Sequence, residues 1–146
     1  MRTVSKIGLA GIRIGYLAAD PTIAQNLEKV RPPYNISVLD EAAAVFALEN
    51  IELLNEQAAL VTAQRTIQAE QLSVLKDVDV FSSSANFLLV RIPNAKKVHA
   101  GMIKRGVLVR DVGKMHPMLN NCLRISISTP QENQAMLTAL TSSLKD

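Results

Sequence analysis

The spacing of apolar residues changes twice along the chain and divides it into three stretches, 1–36, 37–77 and 78–146. In the first, no period is sustained. Gly8, Gly11 and Gly15 favour tight turns, so Ser5 to Gly15 reads as a loop entering a short strand over Ile12 to Ala18. Asp20 then offers an N-cap ahead of Pro21, which predicts a helix to about Val30, stopped by Arg31-Pro32-Pro33. From Ser37 the period becomes helical: Leu39, Ala42, Ala43, Phe46 and Ala47 share one face. A second helix is predicted from Leu53 to Lys76, with Leu53, Leu60, Ile67, Leu72 and Leu75 running beside Gln57, Gln64, Arg65, Gln68 and Glu70. It is long enough to bridge two domains.

Beyond residue 77 the period shortens. Val78 to Phe81 and Phe87 to Ile92 read as strands around the Ser82-Ser83-Ser84 turn. Ala95 to Arg105 reads as a helix closed by Gly106, and Val107 to Arg110 as the next strand. Leu123, Ile125 and Ile127 alternate with Arg124 and Ser126, so a strand there turns Arg124 away from the apolar layer. Thr129-Pro130-Gln131-Glu132 has the form of a capping box and opens the last helix. Strands beside helices from Val78 onward predict a small α/β layer with its own core. Residues 1–36 do not complete a sheet by themselves and are expected to need partners.

Composition narrows the function classes. With 48% hydrophobic and 20% charged residues the chain is expected to fold, and with 3% aromatic its core must be Leu, Ile, Val, Ala and Met. The charge of +3 comes from 16 basic and 13 acidic residues, scattered apart from Lys96-Lys97 and Lys104-Arg105; without interleaved aromatics, no nucleic-acid partner is expected. Met1-Arg2-Thr3-Val4 lacks the apolar core of an export signal, and no run of about 18 apolar residues occurs, so no membrane partner is expected either. The single cysteine, Cys122, excludes an internal disulfide, reads as a small buried hydrophobe, and leaves the cytoplasm as the default location. No metal site is expected, because His99 and His116 have no ligand spacing with Cys122 or with paired carboxylates. Tyr34 reads as ordinary packing.

The candidate chemistry starts at Thr3-Val4-Ser5-Lys6-Ile7-Gly8-Leu9-Ala10-Gly11-Ile12-Arg13-Ile14-Gly15-Tyr16. A hydroxyl before Lys6 and a guanidinium at Arg13, with small residues between, can grip one phosphate from two sides and leave the lysine amine free for chemistry. The same residues also read as a solvated lysine and a salt-bridged arginine.

This segment resembles the cofactor-lysine segment of fold-type I pyridoxal-phosphate aminotransferases, in the wording of the histidinol-phosphate branch. Further blocks follow in the family's order: Lys29 to Asn35, Ala85 to Arg91, Gly106 to Asp111 and Cys122 to Ser126. Together they cover essentially the whole chain and correspond to the C-terminal part, somewhat under half, of a family enzyme. The resemblance implies the small C-terminal α/β domain of such an enzyme (78–146), preceded by bridging helices (37–77) and a remnant of the large cofactor-binding domain (1–36).

It also implies roles. Lys6 matches the lysine that bonds covalently to the aldehyde of pyridoxal 5'-phosphate, and Ser5 and Arg13 match residues that hold the cofactor's phosphate. Arg110 and Arg124 match arginines that bind the substrate's anionic end, a phosphate in this branch, where two guanidinium forks suit a doubly charged group. The implied reaction is transamination between histidinol phosphate and 2-oxoglutarate, in histidine biosynthesis, by a homo-oligomer. The part of a family enzyme upstream of this segment would supply the carboxylate under the pyridine nitrogen. Without it the ring is a poor electron sink, so the chain alone is expected to be inactive and to self-associate. Serine stands at Ser128 where the family usually has glycine, which questions a tight turn there. Threonine-phosphate decarboxylase is an alternative within the family, and a nonenzymatic, self-associating remnant is the alternative from another class.

Overall fold

The computed structural model describes residues 2–7 and 9–146, without the side chains of Arg2, Lys6 and Ile7. The chain forms two compact units, divided between Ala58 and Ala59.

In the first unit, strands β1 (Arg2–Thr3) and β2 (Gly15–Tyr16) pair antiparallel, Arg2 opposite Tyr16 and Thr3 opposite Gly15. This small sheet corrects the expectation that residues 1–36 complete none; strands of two residues are too short to display alternation. Two 3-10 turns, Val4–Ile7 and Ala10–Ile12, fill the space between them. Arg13 follows the second turn in the left-handed region at φ 54°, which breaks the strand expected over Ile12 to Ala18 and leaves only Gly15–Tyr16 extended. The buried Val4 donates its amide to the Ile14 carbonyl at 3.1 Å and so ties the turns to β2.

Helix α1 (Pro21–Glu28) begins as its cap predicts, with the Asp20 carboxylate accepting from the Thr22 amide at 2.8 Å. After it, Arg31 pairs with Glu28 and donates to Asn35 Oδ1 at 2.6 Å. Tyr34 is not packed as expected: it sits at φ 57° and is 99% exposed. Helix α2 (Val38–Glu49) is capped by Ser37 and packs on the second 3-10 turn. Ala44 and Ala47 are its buried residues, whereas Leu39 and Phe46, expected on the buried face, are exposed. Close approach to the turn selects the small side chains and turns the bulky ones outward. Helix α3 (Ile51–Ser73) starts in this unit and ends in the next.

The second unit carries a four-stranded antiparallel sheet. Its elements are β3 (Asp79–Val80), β4 (Phe87–Arg91), α4 (Ala95–Lys104), β5 (Arg110–Asp111), β6 (Cys122–Ser126) and α5 (Pro130–Lys145), with sheet order β3-β4-β6-β5. Leu88 and Val90 of β4 and Leu123 and Ile125 of β6 share one face, where they meet Leu72 of α3, Val98 and Met102 of α4, and Met136 and Leu140 of α5. That face is the core. The alternation read from the sequence places it correctly.

Local chemistry sets the ends. Gly106 at φ 78° donates to Ile103 O at 2.9 Å and Val107 donates to Met102 O at 3.0 Å, a paired C-terminal cap. This cap consumes Val107, so the strand expected from Val107 to Arg110 starts three residues later. Thr129 and Glu132 complete the capping box of α5. Behind it the buried Asn133 donates to Gln64 Oε1 at 3.1 Å and to the Ser128 carbonyl at 3.0 Å, and accepts from the Ser128 amide at 3.0 Å. Ser128 lies outside the left-handed region, so this turn places no demand for glycine there.

Candidate functional site

The face of the sheet opposite the helices carries Phe87 and Leu89 from β4, Arg124 and Ser126 from β6, and Arg110 from β5, because the register sets Phe87 against Ser126, Leu89 against Arg124, and Arg110 against Arg124. Two arginines are therefore cross-strand partners, an arrangement that costs free energy unless an anion lies between them. Among the described residues no carboxylate forms an ion pair with either. Arg124 is half-buried with its guanidinium carbon 5.2 Å from the centre of the Phe87 ring, and its Nε is buried with no hydrogen-bond partner among the described residues. Arg110 is exposed.

One carboxylate is close in sequence, and the backbone diverts it. Asp111 Oδ1 accepts from the Gly113 amide at 2.9 Å. A side chain at position 113 would bring its Cβ to 3.1 Å from that oxygen, so the absence of one lets the turn close. On the other side, His99 of α4 sets its Nε2 2.9 Å from the Val109 carbonyl. A cleft of about 530 Å³ is lined by His99, Leu108, Arg110, Asp111, Arg124 and Ser126. Two cationic forks and a serine hydroxyl facing one open cleft, with the Asp111 carboxylate turned onto the Gly113 amide and the His99 Nε2 onto Val109 O, suit an anion with several oxygens.

The other sequence candidates lie in the first unit, in the hairpin of 3-10 turns. The Thr3 hydroxyl stands 2.9 Å from Ser5 Oγ and 3.3 Å from Ile14 O, and accepts from the Ser5 amide at 3.2 Å. Ser5 is half-buried; Arg13 is exposed and forms no ion pair among the described residues. A hydroxyl held by a neighbouring threonine and a guanidinium without an ion pair are each donors of the kind a phosphate accepts from. Lys6 lies in the backbone of the first turn, and its side chain is outside the described residues, as is the whole of Gly8. Ser5, Lys6 and Arg13 thus share one hairpin, and Arg110 and Arg124 share one cleft.

Sequence reading missed His99 and Asp111 as members of the cleft, and Phe87 as the ring beneath Arg124. Period-2 spacing flags Ser126 alongside Arg124, but no spacing flags a histidine whose place depends on how α4 lies beside β5. The remaining side chains are structural. Arg65 donates to Ala85 O at 3.0 Å, Arg91 donates to Met118 O at 2.8 Å beneath the Phe81 ring, His116 Nδ1 accepts from the Met118 amide at 3.2 Å, and Cys122 is fully buried. Among the described residues there is no group of three or more metal-ligating side chains and no helix long and apolar enough to cross a membrane.

The pattern of the family described as aminotransferase class I and II matches residues 1–140. Histidinol-phosphate aminotransferase 2 of Cupriavidus pinatubonensis is 53% identical over 146 residues, all of this chain and 40% of the relative. The histidinol-phosphate aminotransferase of Clostridium acetobutylicum superposes with TM-score 0.85 at 26% identity, over 99% of this chain and 45% of that one. The Sinorhizobium meliloti enzyme, solved with pyridoxal-5'-phosphate, superposes with TM-score 0.78 at 29% identity, over 99% and 40%. The chain therefore spans about 40% of the length of the curated relatives it matches. Within that span the likeness is continuous from the 3-10 hairpin to the last helix, and the chain belongs to the class I and II aminotransferase family.

Proposed function

We propose that this chain is the C-terminal part of a pyridoxal-phosphate-dependent aminotransferase that interconverts histidinol phosphate and its keto form with 2-oxoglutarate as amino acceptor. The observation that carries the reading is the Arg110–Arg124 pair, two cations opposed across a ladder and facing one cleft, neither of them in an ion pair with a carboxylate among the described residues. Such a pair is stabilised by a dianion and suits a phosphorylated substrate better than a carboxylate alone. In this reading residues 1–36 belong to the large cofactor-binding domain, 37–77 are bridging helices and 78–146 are the small domain. The threonine-phosphate decarboxylase alternative has the weaker support, because the relative matched at 53% identity is named for histidinol phosphate.

When bound, pyridoxal phosphate supplies an electron sink for the amine-bearing carbon of the substrate. Ser5 Oγ and the Arg13 guanidinium would hold the cofactor's phosphate, and the Lys6 amine would hold its aldehyde carbon. As a free amine, Lys6 would be the base that takes the proton from the amine-bearing carbon. Arg110 and Arg124 hold the substrate's phosphate and so set which carbon faces that base.

The test is a chimera in which this chain replaces the matching segment of the Cupriavidus pinatubonensis relative. It is expected to transaminate histidinol phosphate with 2-oxoglutarate, and Lys6→Ala is expected to lose that activity by about 10³-fold or more. A folded but inactive chimera, or an active Lys6→Ala, would overturn the reading. The 146-residue chain alone is expected to show no turnover.

A further inference from the structure

We propose that His99 is a positioning residue that makes the Arg110–Arg124 cleft prefer a doubly charged phosphate to a singly charged carboxylate; this rests on the functional reading above. Strand β5 is two residues long and lies at the edge of the sheet, with β6 as its ladder partner. An edge so short frays easily, and the repulsion between Arg110 and Arg124 pushes in the same direction. The His99 hydrogen bond opposes both.

A carbonyl oxygen only accepts, so the 2.9 Å contact to Val109 O makes His99 Nε2 the donor and fixes where the ring carries its proton. Val109 is the residue before Arg110. His99 sits on α4 beside Val98 and three residues before Met102, both buried in the core, so the bond ties the start of a weak strand to a firmly packed helix. The tie holds the backbone of Arg110 opposite that of Arg124, and with it the distance across which the two side chains can share one anion. A dianion bridging both needs that distance held, whereas a monoanion satisfied by Arg124 alone does not. His99 therefore acts on charge selectivity through the backbone of its neighbour, without touching the ligand.

The test titrates the ¹⁵N-labelled chain with inorganic phosphate, at a pH where it is dianionic, and separately with acetate, following the Arg110 and Arg124 amides. His99→Leu is expected to weaken phosphate about tenfold and acetate less than about twofold. His99→Gln, whose side-chain amide reaches Val109 O, is expected to recover phosphate affinity to within about threefold. If His99→Leu fails to fold, His99→Asn takes its place beside His99→Gln, since its shorter amide does not reach. Unchanged phosphate binding in the donor-less variant, or a parallel loss for both anions, would sink the proposal. Arg110→Ala separates the two levels. If it loses phosphate while His99→Leu does not, this proposal alone falls. If wild type binds no phosphate, or Arg110→Ala binds as wild type does, the functional reading falls too.

Discussion

Arg124 shows how much one residue gives up for binding. It opposes Arg110 across the ladder, leaves its Nε buried without a partner, and recovers part of the cost by stacking over Phe87. Arg124→Met keeps contact with the ring through its thioether and removes both penalties. It is expected to raise the stability of the chain by about 0.5–1 kcal/mol while abolishing phosphate binding. Urea unfolding followed by circular dichroism checks the first half; a lower midpoint would contradict it. The orientation of Arg124 was legible in the sequence, since Leu123, Ile125 and Ile127 claim the other face. The company it keeps was not, because His99 reaches the cleft only through the packing of α4, and Phe87 reaches Arg124 only through the β4–β6 pairing.

Among the elements, α5 has the most explicit start. Glu132 accepts from the Ser128 hydroxyl, the Thr129 hydroxyl and the Thr129 amide, and these bonds, Ser128's first, hold its carboxyl below the usual carboxylate range. A carboxyl lowered in the folded state stabilises the fold above its unfolded value, and that contribution disappears as pH falls through the folded value. The melting temperature of wild type should exceed that of Glu132→Gln near neutrality, and the gap should close below about pH 4. A gap that stays constant with pH would show that the box does not depend on charge. Caps such as Asp20 and Thr129 were readable because one side chain bonds to an amide two or three residues away. Strand β1 and its pairing with β2 were not, because the pairing joins residues twelve and fourteen apart with no periodic signal. The buried side of α2 was misread for a related reason. Periodicity says that a helix has a face, but the turn it meets decides whether Leu39 or Ala44 fills it.

At the scale of the whole molecule the two units differ in completeness. The second has a continuous apolar core from Leu72 to Leu140. In the first, α1 shows Ile23 and Leu27 more than 40% exposed, and Val30 just beyond its end is 76% exposed, spaced along one side. An apolar row of this kind favours association. Light scattering of the 15.9 kDa chain is expected to give oligomers at micromolar concentration, and Ile23→Lys with Leu27→Lys to shift them toward monomer. A monodisperse wild-type monomer would contradict this.

The seam between Ala58 and Ala59 lies within α3, which runs unbroken from Ile51 to Ser73. Digestive enzymes cut extended, solvent-exposed backbone, and a helical rung presents none. Limited proteolysis is therefore expected to spare Ile51–Ser73, and scission there must wait for several successive turns to unwind together.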